Sequence, residues 1–285
     1  MNTTPNINRF FYCSIALVII QVAVITLGKA WSPAVSVLTM TLVTFWHGFI
    51  WMGVKRMLFL FLLVSTISWS YETISVLTGF PFGNYHYTDA LGAKIGLVPI
   101  NIMPAYFAVG YFSFVLAHLI LDKRNTSYPN GSWLPISIAA SFIMVSWDLA
   151  MDPIMATVEK NLIWENGGVY FGVPLVNFAG WFLCVFSFYA LFTLIYRKPS
   201  ESIHKLNIVS SRKFWIIAPL SYAALLTGSV RNFINGTDES AFSPDGKEWL
   251  INDISGSLLL ISCFTLLPIA LLASYKIFAK TGEGE

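Results

Sequence analysis

Apolar stretches of roughly 18 to 25 residues, the length that crosses a bilayer as a helix, alternate with short polar segments along this chain. The hydropathy pattern predicts an all-α, polytopic membrane helix bundle of about eight transmembrane helices in a single integral domain, 1–285. The first apolar run is long for a signal peptide and no small-residue cleavage site follows it, so we expect it to be retained. The predicted spans lie near 10–27, 33–53, 57–78, 102–121, 134–152, 175–196, 214–230 and 250–275.

Basic residues concentrate on one side of these spans. Twelve lie in the connections after the second, fourth and sixth spans or at the termini, and five lie on the opposite side. The positive-inside rule therefore predicts that both termini are cytoplasmic, in a multi-pass protein of the cell (inner) membrane. The five basic residues predicted on the outer side are Lys29, Lys94, Lys160, Arg231 and Lys247.

The composition excludes several classes of protein. The chain is 56% hydrophobic and 11% charged, whereas soluble domains carry about 25% charged residues. A soluble enzyme, a secreted disulfide scaffold and a disordered chain are thus excluded, and the net charge of +2 does not suggest nucleic acid as a partner. The oligomeric state is not indicated.

The cysteines and histidines give no metal or redox signature. Cys13, Cys184 and Cys263 lie in three separate spans, and the four histidines lie in four separate segments. We predict no disulfide and no metal site, and a membrane di-iron oxygenase is excluded because it needs many closely spaced histidines. There is also no P-loop and no GxGxxG before a helix, so we expect no cofactor.

Two predicted outer loops, 79–101 and 153–174, are rich in glycine, proline and aromatics. We expect them to be ordered and to cap a cavity in the bundle, since non-helical backbone at membrane depth must be satisfied by protein. A short echo connects them: Pro99 and Pro174 are each followed, seven residues later, by an aromatic residue, Tyr106 and Trp181. Each unit consists of an acidic helix, a loop and a Pro-started aromatic helix, which suggests that the acids of both units face one outer cavity.

Four acidic residues lie inside predicted spans, where a carboxyl group is costly and usually faces a cavity or a partner. Asp253 lies at the start of the eighth span, where a carboxylate suits a helix N-terminus, and the other three are the candidate catalytic residues. Asp148 and Asp152 are four residues apart and share a helix face, and Pro153 marks the predicted helix end. Two carboxyl groups at reduced dielectric repel if both are ionised, which favours one of them keeping its proton. A neutral, buried carboxylic acid can donate that proton at pH 7. Glu72 lies among hydroxyl-bearing residues of the third span; simple packing is the alternative for it, and a solvated or turn-capping carboxylate the alternative for Asp152.

Aromatic and amide side chains around these acids could bind substrate or water. Phenol groups could orient water or relay a proton, and indole faces could stabilise a cation. An interfacial aromatic belt is the alternative for any single ring. The candidates are Tyr85, Tyr87, Tyr170, Asn177, Trp69, Trp147 and Trp181.

The segments TGFPFGNYHYT, LGAKIGLVP, WDLAMDP and ENGGVYFGVPLVNFAGW resemble the membrane carotenoid-biosynthesis family of the CruF type. The resemblance covers about 72–181, within a predicted site region of about 69–181, and the flanking spans match only as hydrophobic helices. It implies a cofactor-independent carotenoid hydratase, which protonates a terminal C=C of a linear carotenoid to a tertiary carbocation that water captures. The partners it implies are a lipophilic isoprenoid or carotenoid and membrane lipid.

The resemblance and the residues together suggest a division of roles. Asp148 would be the proton donor, kept protonated by Asp152, and Glu72 would hold or deprotonate the water. The tyrosines and Asn177 would orient that water, and the tryptophans would flank the cation.

Three alternatives remain open from the sequence. A membrane terpene cyclase would begin with the same protonation but capture the cation with an internal alkene. A metal-dependent prenyltransferase could use the aspartates to bind a magnesium diphosphate, although it would normally need a second acidic cluster. A transporter or structural protein would use the acids as coupling sites.

Overall fold

The structure is a computed structural model and describes residues 6–29, 32–124, 127–129, 131–197 and 208–279. Eight helical segments in these ranges are long and apolar enough to cross a membrane, which confirms the predicted multi-pass helix bundle. Six of these spans are helices α1 to α6: α1 Ile7–Leu27, α2 Ser32–Met52, α3 Val54–Thr78, α4 Ile102–Ile120, α5 Trp133–Pro153 and α6 Leu175–Ile195.

The last two spans are broken helices, where the hydropathy pattern predicted continuous ones. The seventh comprises α7 Arg212–Trp215, α8 Ile217–Ala223 and α9 Leu226–Ile234, and the eighth comprises α10 Ile251–Phe264 and α11 Leu266–Phe278. Proline explains one break in each. Pro219 and Pro268 lack the N–H that would bond to the carbonyl four residues earlier, and those earlier residues, Trp215 and Phe264, are where α7 and α10 end.

Helix α4 lies at the centre of the bundle. Of its most apolar stretch 83% is buried within the protein, compared with 28% for α1. It is surrounded by α2, α3, α5, α8 and α11. On the side of α6, the Tyr189 hydroxyl donates to the Gly110 carbonyl of α4 at 2.7 Å.

Helix α5 does not stop at Pro153 but continues through a single π turn, 154–158. Pro153 has no N–H to donate to the carbonyl of Leu149, four residues earlier. The Tyr170 hydroxyl donates to that carbonyl instead, at 2.7 Å. The loop after α5 thus satisfies the backbone group that the proline leaves free, and the helix extends beyond its predicted end.

The two loops predicted to be ordered pair with one another. Strand β1, Tyr85–Tyr87, runs antiparallel to β4, Leu162–Trp164, across one end of the bundle. The alternation of a strand turns Tyr85 and Tyr87 inwards and leaves His86 exposed beside Glu165. We call this the capped end; it is also where α1 ends and α2 begins.

Two further ribbons complete the capped end. Strands β2, Lys94–Ile95, and β3, Val98–Pro99, form a small hairpin, and β5, Ser240–Phe242, pairs with β6, Glu248–Leu250. The first loop also rests on α6 at Gly180, where an added Cβ would lie 2.6 Å from the Pro81 carbonyl oxygen.

Candidate active site

A cavity of about 660 Å³ opens inside the bundle at the capped end. That volume is typical of a site for a small organic ligand or part of a larger one. Its walls come from the two paired loops and from α1 to α6, α9 and the start of α11. The cavity is largely apolar, and two groups of buried carboxyl side chains lie at it.

The first group is Glu72 with three tyrosines, which we call the tyrosine cluster. Tyr85 and Tyr87, from β1, both donate to Oε2 of Glu72, the latter at 2.9 Å. Tyr106, from α4, donates to Oε1 at 2.7 Å. Burial raises the pKa of the Tyr85 and Tyr87 phenols well above its usual value, and the Glu72 carboxyl raises it further. These phenols therefore keep their protons and act as donors to an acceptor-only carboxylate.

The second group is Asp148, Asp152 and Asn177, which we call the aspartate pair and its amide. Asn177 Nδ2 donates to Oδ2 of Asp148 at 3.2 Å and to Oδ2 of Asp152 at 2.9 Å. All three side chains are buried. Among the described residues Oδ1 of Asp148 has no hydrogen-bond partner, so this pair is under-satisfied. The amide of Asn177, on α6, thus positions both aspartates of α5.

The two groups are close enough to interact. Asp152 contributes to the raised pKa of Tyr87, after burial and Glu72. Glu72, Tyr87, Asp152 and Asn177 all line the cavity. A small molecule at this wall would therefore meet a phenol-bound carboxylate and an amide-bound carboxyl group together.

Aromatic faces form the wall beside the acids. The Trp181 ring stacks on Tyr106 at a centroid distance of 4.4 Å and an interplanar angle of 6°. Trp147 meets Trp181 edge-on at 6.1 Å, and Phe82 lies 6.4 Å from it. These four rings line the cavity. Such faces stabilise a positive charge by roughly 0.5–2 kcal/mol each, depending on how far they are desolvated.

Three of the predicted site residues lie away from the cavity wall. The indole Nε1 of Trp69 donates to the Ile95 carbonyl at 3.0 Å and so holds the β2–β3 hairpin against α3. The Tyr170 hydroxyl is occupied by the Leu149 carbonyl, as described above. Asp148 is fully buried behind the wall, and Asp152 is the member of the pair that faces the cavity.

The sequence reasoning missed Tyr106 as a site residue, although the echo contained the signal. Tyr106 and Trp181 occupy equivalent positions seven residues after Pro99 and Pro174, and they are the two rings that stack. Phe82 also lines the cavity and was not singled out as a site residue; only its position next to Tyr85 in the paired loops identifies it. Trp164, whose indole the sequence suggested for an apolar pocket, lines the cavity beside Tyr85.

No three His, Cys, Asp or Glu side chains gather into a set that could hold a metal ion within the described ranges. His47, buried in α2, stacks on Phe214 at 4.0 Å and bonds to the Tyr111 hydroxyl at 2.6 Å.

The fold and the site define an integral membrane protein with an acid-lined, aromatic-walled cavity at one end of its helix bundle. The chain belongs to the carotenoid biosynthesis protein family, whose family model matches residues 31–235. It is also 32% identical, over 117 residues, to a bisanhydrobacterioruberin hydratase from Haloarcula japonica. That match covers 41% of this chain and 38% of the relative. No solved structure matches the chain.

Proposed function

We propose that this chain is a carotenoid hydratase that adds water to a terminal C=C of a linear carotenoid without a cofactor. The observation that carries the proposal is the meeting of two buried carboxyl groups and a wall of stacked aromatic rings in one cavity. The family supports a carotenoid as substrate, and the relative is named as a hydratase. We place the protein in the inner membrane with both termini cytoplasmic, on the distribution of its basic residues.

The aspartate pair supplies the proton. The sequence assigned donation to Asp148, but Asp152 is the carboxyl on the cavity wall, so we assign the contact with substrate to Asp152. Asp148 lies one helical turn away and shares the Asn177 amide with it. Because two adjacent buried carboxylates repel, the pair holds a proton between them that Asp152 can deliver.

Protonation of the terminal alkene places a positive charge on the tertiary carbon. The rings of Trp181, Trp147 and Tyr106 lie along this wall and stabilise the charge as it develops. An aromatic wall suits a carbocation because it attracts a cation without attacking it.

Water completes the reaction. The tyrosine cluster holds Glu72 at the wall, and Glu72 accepts a proton from the water whose oxygen bonds to the tertiary carbon. Tyr87 lies close to both Glu72 and Asp152, so we assign it the path that returns the proton to the aspartate pair. The balance is one alkene and one water converted to one tertiary alcohol, with no net change in the protein.

Mass spectrometry of pigments tests the proposal directly. A host that makes linear carotenes would express the wild-type chain, Asp152→Asn, Asp148→Asn and the control Asp238→Asn, which changes an exposed loop carboxylate. We expect the wild type and the control to add one water per modified end. General acid–base help is worth about 10²–10⁴-fold, so Asp152→Asn should lose nearly all product.

Other outcomes would identify the alternatives. Products of unchanged mass and shifted retention would indicate a proton-initiated cyclase, and added isoprenoid mass would indicate a prenyltransferase. Pigments identical with and without the chain would refute a carotenoid-modifying enzyme in that host and favour a transporter or structural protein.

A further inference from the structure

Three basic side chains at the capped end have no carboxylate partner in the part of the chain that the structure describes. Of the five that lie there, Lys94 pairs with Asp89 at 3.1 Å and Lys247 with Asp245 at 2.6 Å. Lys160 donates to the carbonyl of Phe242. The remaining two are Lys29 and Arg231, and within the described ranges neither forms an ion pair.

Lys29 and Arg231 come together at the cavity. Lys29 follows the end of α1, Arg231 lies in the last turn of α9, and both line the cavity wall. Arg231 donates from Nη1 to Oδ1 of Asn232 at 3.2 Å, which uses one of its five N–H donors. The pair therefore presents two positive charges and most of a guanidinium fork to the same space.

Gly28 makes room for this arrangement. Its backbone is left-handed, with φ of 57°, and ends α1. A Cβ at this position would lie 2.1 Å from Nη2 of Arg231. The guanidinium thus packs directly against the backbone of Gly28, and a side chain at position 28 would occupy the same space.

The acidic side chain that acts on Arg231 is Glu159, which also lines the cavity. Its carboxylate accepts from Nδ2 of Asn161 at 2.7 Å rather than from the guanidinium. Burial raises the pKa of the Glu159 carboxyl, more than Asn161 and Arg231 lower it.

The wall beside the two cations is apolar. Ile25 of α1, Val37 of α2 and Leu225, just before α9, line the same cavity. An occupant of this region must therefore combine an anionic group with a hydrocarbon chain. The ends of α1 and α9 are also the level at which a bilayer places its phosphates.

We infer that Arg231 and Lys29 form a phosphate site for a membrane phospholipid, whose acyl chain lies along the apolar wall of the cavity. The planar guanidinium fork matches two phosphate oxygens, and Lys29 adds a point charge. This inference does not depend on the proposed reaction, because binding is measured without turnover.

Native mass spectrometry of the delipidated protein in detergent tests the site. The probes are phosphatidylglycerol, a diacylglycerol with the same acyl chains, geranylgeranyl diphosphate and inorganic phosphate. We expect phosphatidylglycerol to bind at least about tenfold more tightly than diacylglycerol, as a charged hydrogen-bonded contact to phosphate should give. It should also bind more tightly than inorganic phosphate, which has no hydrocarbon chain for the apolar wall, and more tightly than geranylgeranyl diphosphate.

Variants assign the contact to residues. Arg231→Gln should weaken phosphatidylglycerol binding about tenfold and leave diacylglycerol binding unchanged. Lys29→Gln changes an exposed side chain and should weaken binding less, because Lys29 contributes a single point charge. The matched control is Lys247→Gln, whose lysine is paired with Asp245, and it should bind as the wild type does.

Three results would overturn the inference. Equal binding of phosphatidylglycerol and diacylglycerol would show that the phosphate is not recognised. Unchanged binding in both Arg231→Gln and Lys29→Gln would place the phosphate elsewhere. Tighter binding of the diphosphate than of the phospholipid would assign the site to a prenyl diphosphate. If Arg231→Gln does not fold, Arg231→Lys and Lys29→Gln provide the same comparison.

Discussion

Replacing Asn177 of α6 by leucine, which has a similar size, should remove the hydrogen bonds by which α6 positions the aspartate pair of α5. The change removes the two hydrogen bonds to Asp148 and Asp152, of 3.2 and 2.9 Å, from a site where Asn177 is only 1% exposed. A hydrogen bond to a charged group contributes about 1.5–3 kcal/mol. Taking the lower value for each of the two bonds, the substitution removes about 3 kcal/mol of stabilisation from the positioned acids. If this loss appears in the activation free energy, where every 1.36 kcal/mol is tenfold in rate, turnover should fall about 100-fold.

The assay is the rate of product formation by purified protein in lipid nanodiscs, followed by liquid chromatography. The control is Ser187→Ala on the same helix, where the hydroxyl bonds to Tyr71 and the Leu183 carbonyl outside the cavity. That control should keep its rate to within about twofold, as a surface substitution usually does. A folded Asn177→Leu protein that turns over at the wild-type rate would refute the assignment of the aspartate pair.

Three further changes test other parts of the site and its frame. Tyr85→Phe removes one phenol donor from the site carboxylate and should slow turnover about tenfold, whereas Tyr111→Phe, in contact with His47, should not. Trp181→Leu removes a stacked cation-facing ring and should slow turnover about 3- to 30-fold without abolishing substrate binding. Gly180→Ala places a Cβ 2.6 Å from a backbone carbonyl and should destabilise the protein by about 1–3 kcal/mol, measured by thermal unfolding in detergent. Gly228→Ala, with 4.0 Å of clearance, should leave the unfolding temperature unchanged.

The helices could be predicted from sequence because bilayer thickness imposes a length that hydropathy reveals directly. The breaks in the last two spans could not, because Pro219 and Pro268 sit in apolar runs that score as continuous. The extension of α5 past Pro153 depends on Tyr170, twenty-one residues from the carbonyl that it satisfies. Such a long-range donor leaves no local pattern in the sequence.

The candidate site residues that could be predicted are those whose presence inside a membrane span is energetically costly, or whose spacing along the chain recurs. Carboxyl groups inside spans are expensive, and this drew attention to Glu72, Asp148 and Asp152, all of which the structure buries at the capped end. The tyrosine cluster could be expected only in part, because Tyr106 is one aromatic residue among many in α4. Trp69 differs from these: its place near Glu72 suggested the cavity, but its indole N–H donates to the Ile95 carbonyl of the β2–β3 hairpin, a partner distant in the sequence.

The central position of α4 also constrains how the protein is made. Helix α11 covers one face of α4, and Leu266, at the start of α11, lines the cavity. A nascent chain that has inserted only α1 to α6 holds every acid of the site but leaves that face of α4 to lipid or to the translocation machinery. The cavity should therefore be complete only after the last span has entered the bilayer, which makes its assembly a late event in biogenesis.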